Sequence, residues 1–324
     1  MLKHRIQLRM LTLAFILAQQ AGLVSADTWR LEQDQQWKPA PTEGKDKYLM
    51  VVARTEKLIN ARKTEALRKE WAELKKQFPE IDEQDLDLFI QAELLLCKRQ
   101  FIKAVRTYDK FLGKDYQDSE LYEAALRRQF SIAKAFLAGQ KKSVFGIFKM
   151  KAHAEGIKIM ERITERADDR EIAVQAAVTV AKYYENKRKF SPAYLKWSEI
   201  SWQWPTGEIA KDALLGMARC KYAAYKGPNY NAANLRSAKS YYTDFKARYP
   251  EAAEELGIDK TLKQIDEQLA HKQFNIGRYY QRTGNRQAAN LHYDMVIQNW
   301  PESDAAQLAR QMLGENLGSE KMEK

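Results

Sequence analysis

The chain has 324 residues and a formal net charge of +11, from 54 Lys and Arg against 43 Asp and Glu, with only 8 prolines, 14 glycines and 2 cysteines. Abundant Ala, Leu, Lys, Glu and Gln with so few helix breakers suit helix throughout, and nothing in the composition suggests a sheet. The charges are interspersed, with no run of five or six of one sign and no recognisable nucleic-acid module, which argues against nucleic-acid binding; two isolated cysteines exclude a disulfide framework.

Residues 1–26 read as a secretory leader. Lys3, His4, Arg5 and Arg9 supply its positive end, Met10 to Ala18 (MLTLAFILA) its apolar core, and Val24-Ser25-Ala26 a small-residue cleavage site. That apolar run is short of the roughly 20 residues needed to span a bilayer. The expectation is a protein exported to the periplasm, and no cysteine near the cleavage point offers itself for lipid attachment. Residues 27–47, with Trp29, Trp37, Pro39 and Pro41 among polar residues, read as an extended arm.

From residue 48 to 317 one pattern recurs. It is clearest in the stretch from Ala270 to Ser303, where Gly277, Tyr280, Ala289, Tyr293 and Pro301 follow at steps of 3, 9, 4 and 8 residues. Two amphipathic helices joined at Gly284-Asn285 fit that spacing: the glycine ends the first helix, and the proline stops the second. The small positions let the backbones approach, and the tyrosines fill the space beside them. The same steps land on Ala181, Tyr184, Ala193, Trp197 and Pro205, on Ala92, Leu95, Ala104, Tyr108 and Tyr116, and on Thr55, Leu58, Leu67, Trp71 and Pro79. Two further units keep only the second helix of the frame, at Ala238, Tyr242 and Pro250 and at Gly156, Met160 and Asp168. Small, large and proline positions in register at a period of roughly 34 residues are the signature of tetratricopeptide repeats. The fold class expected is therefore all-α, a superhelical α-solenoid of about five to six helical hairpins.

Two units carry insertions. After the helix expected over 120–138, KKSVFGIFKMK (residues 141–151) delays the partner helix; its lysines and apolar residues could meet a membrane surface or a partner, or its phenylalanines could tuck into the neighbouring repeat. After the helix over 211–225, KGPNYNAANLRS lengthens the hairpin, with Gly227-Pro228-Asn229 as a turn and Asn231 as a cap. Residues 251–270 add an approach helix, residues 304–317 a closing one, and 318–324 a disordered tail.

No catalytic set assembles. Among His4, His153, His271 and His292 no two stand at the i, i+4 spacing of a helical zinc site, and there is neither a glycine-rich phosphate loop nor a GxSxG elbow. The reading is of a non-enzymatic chain without cofactor or metal. What stacked hairpins offer instead is a lined surface for a segment of another protein. On the repeat frame, the positions three before and one after each small first-helix residue should line it: Phe89 and Glu93, Phe130 and Lys134, Val178 and Lys182, Phe274 and Arg278. An apolar residue followed by a mostly cationic one suits an extended segment with aromatic side chains and a carboxylate terminus.

The leader, the repeat array and two blocks, YKGPNYNAANLRSAKSYYTDFKARYP and LKQIDEQLAHKQFNIGRYYQRTGNRQAANLHYDMVIQNWPESDAA, resemble the BamD family of outer membrane assembly factors over residues 170–313 and more loosely over 80–170. The resemblance implies a periplasmic scaffold beneath the outer membrane that binds the barrel insertase and helps recognise unfolded outer membrane proteins. The lipoprotein cysteine of typical members is missing. The other reading is a periplasmic repeat adaptor for a cell division, secretion or envelope complex.

Overall fold

Helices packed against their neighbours along the chain make up nearly all of the described residues. The structure, a computed structural model, describes residues 29–31, 37–39, 54–77, 83–113, 120–144, 148–167 and 170–322. The leader, most of the arm, and the frame positions Pro79, Tyr116 and Asp168 lie outside the described residues. The chain divides into two compact units, Met1–Leu121 and Tyr122–Lys324.

The first unit holds β1 (Trp29–Leu31) and β2 (Trp37–Pro39), an antiparallel pair with Trp29 opposite Pro39, followed by α1 (54–60), α2 (Thr64–Gln77), α3 (Glu83–Cys97) and α4 (Phe101–Leu112). The second holds α5 (Glu120–Leu137), β3 (Lys141–Val144), β4 (Phe148–Lys151), α6 (His153–Ala167), α7 (Glu171–Asn186), α8 (Phe190–Gln203), α9 (Gly207–Ala223), α10 (Ala233–Arg248), α11 (Pro250–Glu255), α12 (Ile258–Arg282), α13 (Arg286–Asn299) and α14 (Asp304–Met322). Packing runs between neighbours along the chain, α6 on α7, α7 on α8, α8 on α9, α9 on α10, α10 on α12, α12 on α13, and α14 back on both α12 and α13. That is the nearest-neighbour stacking of a helical repeat array. The fold is all-α and of the tetratricopeptide type.

Four of the hairpins turn by one device. In α1–α2 the N–H of Arg62 bonds the Ile59 carbonyl and that of Lys63 the Leu58 carbonyl; in α3–α4, Arg99 and Gln100 bond Leu96 and Leu95; in α7–α8, Arg188 and Lys189 bond Glu185 and Tyr184. In α12–α13, Gly284 and Asn285 do the same to Gln281 and Tyr280. This paired bonding is the Schellman ending, and its pivotal residue must be left-handed. Gly284 meets that requirement at φ 81°, but Arg62, Arg99 and Arg188 adopt 56°, 58° and 54° despite their side chains. The Asn285 side chain then accepts a hydrogen bond from the Ala288 N–H at 3.0 Å, capping α13.

The repeat frame coincides with the core. Ala92, Ala104, Tyr108, Ala181, Ala193, Trp197, Ala238, Ala289 and Tyr293 are fully buried, with Trp71 and Tyr242 nearly so. At Gly277 a β-carbon would stand 2.6 Å from the Tyr293 ring, and at Gly216 it would stand 2.5 Å from the Trp197 indole. Small residues therefore admit large ones both within a hairpin, α12 against α13, and between successive hairpins, α8 against α9. Cys97 and Cys220 are buried free thiols.

Three local expectations need correction. Two short strand pairs stand where no sheet was expected: β1–β2 falls within the arm, and β3–β4 converts the 141–151 insertion into a hairpin, as the period-two alternation of lysine with larger residues favours. The approach helix does not run unbroken over 251–270, because Gly257 at φ 63° separates α11 from the 25-residue α12. The closing helix continues to Met322, so the tail read as disordered is helical over most of its length.

Candidate peptide-binding groove

Helix α12 positions the site. Its residues Gln264, Gln268, His271, Asn275, Arg278 and Arg282 recur at three- and four-residue spacing and so share one face. Opposite that face lie the end of α9 and the loop that lengthens the α9–α10 hairpin. Gly227, at φ 110°, bends this loop, and the Asn231 side chain closes it by accepting from the Ala233 N–H at 2.7 Å. One bond ties the loop to α12 and another ties α9 to it: Lys272 Nζ donates to the Pro228 carbonyl at 3.0 Å, and Gln268 Nε2 donates to the Tyr222 hydroxyl at 3.1 Å.

Between them lies an open groove of about 780 Å³ lined by Tyr222, Tyr225, Pro228, Gln264, Gln268, His271 and Asn275, among others. A second hollow of about 470 Å³ shares Pro228 and Asn275 with it and adds Lys272, Arg278, Tyr279 and Arg282. One end is thus aromatic and amide-lined, the other cationic. Tyr279 is 56% exposed there. The Tyr225 hydroxyl is buried without a hydrogen-bond partner, and burial pushes its pKa up, so it stays a neutral donor. Glu267, on the rim, is already engaged: it accepts from the N–H groups of Asp304 and Ala305 at the start of α14 and lies 3.1 Å from His271 Nε2.

Of the residues chosen from sequence, Arg278 alone lines this groove. Phe274, four residues before it, is 6% exposed and packs on Tyr293 with ring centroids 5.4 Å apart. Phe89 and Glu93 also belong to the core. Phe89 meets Trp71, Tyr108 and Phe111 edge-on, while the Glu93 carboxylate accepts from Tyr108 at 2.5 Å and from Thr55 at 3.4 Å. A buried polar group needs such partners, and these two residues are closed to any ligand. Val178 packs partly against the core while Lys182 is exposed; Phe130 is half-buried, with exposed Lys134 Nζ 5.8 Å over its ring. Neither pair lines the groove. The frame was rotated by about one residue, since the α12 face open to the groove carries Asn275, not Phe274. The signal that would have found it is the polar stripe Gln264, Gln268, His271, Asn275.

A second polar cluster is structural. Glu185 accepts from Trp197 Nε1 at 3.0 Å, from Arg219 at 3.2 Å and from the Cys220 thiol at 3.3 Å. Burial, followed by the Glu185 charge, pushes the Cys220 thiol up to about 12, so it stays protonated and unreactive. Among the described residues no group of His, Cys, Asp and Glu is placed to hold a metal ion, and no helix is long and apolar enough to cross a membrane.

No protein-family model matches the chain, nor does any curated relative. Among solved structures it is similar to NprR in complex with its cognate peptide NprX, at 16% identity and a TM-score of 0.26, covering 84% of this chain and 72% of that one. It is also similar to a human IFIT1 dimer with m7Gppp-AAAA, at 14% identity and a TM-score of 0.24, covering 79% and 70%. Likeness at this level says nothing of what the chain binds, and the fold assignment stands on the hairpins themselves.

Proposed function

We propose that the chain is a non-enzymatic scaffold that holds an extended segment of another protein along α12. The observation that carries this reading is the groove's lining: side-chain amides aligned on one face, tyrosines along its length and three cations gathered at one end. An amide offers both donor and acceptor and so can pair with the N–H and C=O of an extended backbone. Tyrosine faces and Pro228 receive an apolar or aromatic side chain, and Arg278 and Arg282 suit a carboxylate through charge-assisted hydrogen bonds. Titrating the full chain with a labelled peptide that ends in an aromatic residue and a free carboxylate tests it. Asn275→Ala with Arg278→Glu should weaken binding by tenfold or more, while Phe130→Ala with Lys134→Glu should leave it unchanged. Equal affinity of the Asn275/Arg278 variant and the wild type would remove the groove from the account.

The finer reading is a periplasmic scaffold in outer membrane protein assembly, supported by the leader and by the BamD-like blocks, one of which contains α12 from Leu262 onward. The groove residues named above, Tyr222 excepted, lie in those blocks, which joins the two readings. An adaptor for a division, secretion or envelope complex is the alternative. A photo-crosslinker at residue 275 in cells separates them: capture of a barrel insertase or of unfolded outer membrane proteins supports the first, capture of division or secretion proteins the second.

A further inference from the structure

Independently of the groove, we infer that the second unit associates edge to edge with a second copy of this chain, its row of basic hairpin turns meeting the row of acidic turns on the other copy. From the end of α7 onward the sign of the charge alternates in step with the fold. Residues 186–198, 213–243 and 268–293 carry 13 Lys and Arg and no Asp or Glu, whereas the stretches that alternate with them, 199–212, 244–267 and 294–309, carry 13 Asp and Glu against 5 Lys and Arg. The first set holds the closed ends of three hairpins, α7–α8, α9–α10 and α12–α13. The second holds their open ends, where the chain passes from α8 to α9, from α10 through α11 to α12, and from α13 to α14.

Each connection reverses the chain, so helices stacked on their neighbours put the closed ends on one edge of the unit and the open ends on the opposite edge. Contacts across the stack fix both rows. On the basic edge Lys221 Nζ of α9 sits 3.8 Å over the Tyr194 ring of α8, and Lys272 of α12 reaches the Pro228 carbonyl of the α9–α10 loop. On the acidic edge Lys246 Nζ, near the end of α10, lies 2.5 Å from Asp259 in the first turn of α12, and Glu267 accepts from the first N–H of α14. Lys187, Lys189, Lys226, Arg236 and Arg282 are exposed and have no carboxylate partner among the described residues. Asp244, Glu254, Asp294 and Glu302 on the other edge are exposed and likewise have no cationic partner among them.

Like charges gathered along an edge repel one another, so each row costs the free unit stability and each gains from a row of the other sign. A nucleic acid, an anionic lipid surface or an unrelated acidic protein answers the basic edge alone and leaves the acidic edge as it was. A second copy answers both. It also presents its acidic ends at the interval at which the basic ends recur, since one hairpin, two interhelix spacings of about 8–10 Å, sets both. The two edges are different surfaces, so the contact is head to tail and can repeat. The chain's excess of 11 positive charges builds up with every copy added, which holds the assembly to short oligomers.

The test is sedimentation velocity of the full chain over a range of concentrations, in salt from about 0.01 M to about 0.15 M, across which the screening length falls from about 30 Å to about 8 Å. Association that grows with concentration at low salt and fades at the higher salt is expected. Two double variants read the two edges: Lys187→Glu with Lys226→Glu, and Asp294→Lys with Glu302→Lys. An exposed ion pair is worth up to about fivefold in an equilibrium constant, and a reversal replaces attraction by repulsion, so each double variant should weaken association by about tenfold or more. Lys57→Glu with Lys69→Glu, exposed on the first unit, makes the same change in net charge and should leave association as in wild type. Helical circular dichroism of every variant keeps loss of fold from being read as loss of association, and the salt dependence of the wild type needs no variant. A monomer at every concentration in low salt, association indifferent to salt, loss on reversing only one of the two edges, or equal loss in the first-unit control overturns the inference.

Discussion

Replacing Gly216 by alanine measures how tightly successive hairpins are locked. The added β-carbon would lie 2.5 Å from Trp197 Cδ2 and Cε2 and 2.7 Å from Cγ, so ring or helix must retreat by about 1 Å to reach ordinary contact. The indole is fully buried and donates to Glu185 at 3.0 Å, and Glu185 also holds Arg219 and Cys220, so moving the ring disturbs the whole cluster. Alanine should gain about 1 kcal/mol in helix propensity. Against that stand about 1–3 kcal/mol of overpacking and about 1.5–3 kcal/mol if the hydrogen bond to the carboxylate is lost. With that bond lost, the net expectation is destabilisation by about 1.5–5 kcal/mol, a fall in Tm of roughly 3–20 °C for a unit of this size. Gly314 is the control: it lies exposed on α14 with no atom within 4 Å of its would-be β-carbon, so Gly314→Ala should stabilise by up to about 1 kcal/mol. Thermal melts followed by circular dichroism read both. A Gly216→Ala protein melting at or above wild type would refute the close-approach argument.

Arg188 holds the left-handed position that Gly284 holds in the last hairpin, so Arg188→Gly should relieve strain and stabilise by about 0.5–1 kcal/mol once the flexibility of the unfolded glycine is counted; an unchanged or lower urea midpoint would show that the arginine is not strained. At high pH the second unit should weaken. Burial pushes the Tyr242 phenol up to about 12, and burial with the Tyr194 hydrogen bond does the same to Tyr241, both from 10.0. A raised phenol pKa contributes stability that is whole below pH 10 and lost as pH rises through about 12; tyrosinate absorbance should appear together with loss of helix over that window, and early ionisation without unfolding would contradict the burial argument.

The hairpins were legible because their determinants are local. Gly277 with Tyr293 and Gly284 with Asn285 stand within one helix pair, and their spacing is set by 3.6 residues per turn whatever the rest of the chain does. The arginine turns were not, since Arg62, Arg99 and Arg188 carry no propensity for a left-handed residue, and the paired closing hydrogen bonds of the turn require it. The β3–β4 strands were visible as alternation but were passed over in a composition so favourable to helix.

By itself, then, the order of residues determined the repeat, its small and large positions, and the all-helical hairpin architecture, because each of those rests on contacts between segments close in sequence. Only the tertiary structure decided which helix faces stay open. Phe89 and Glu93 were closed off by Trp71, Tyr108 and Thr55, and Phe274 by Tyr293, whereas the Pro228 loop stands off α12 far enough to leave Asn275 in a groove. Exposure depends on how each helix is rotated against its neighbours, and a rotation of one residue, about 100°, exchanges a buried phenylalanine for a groove-facing amide.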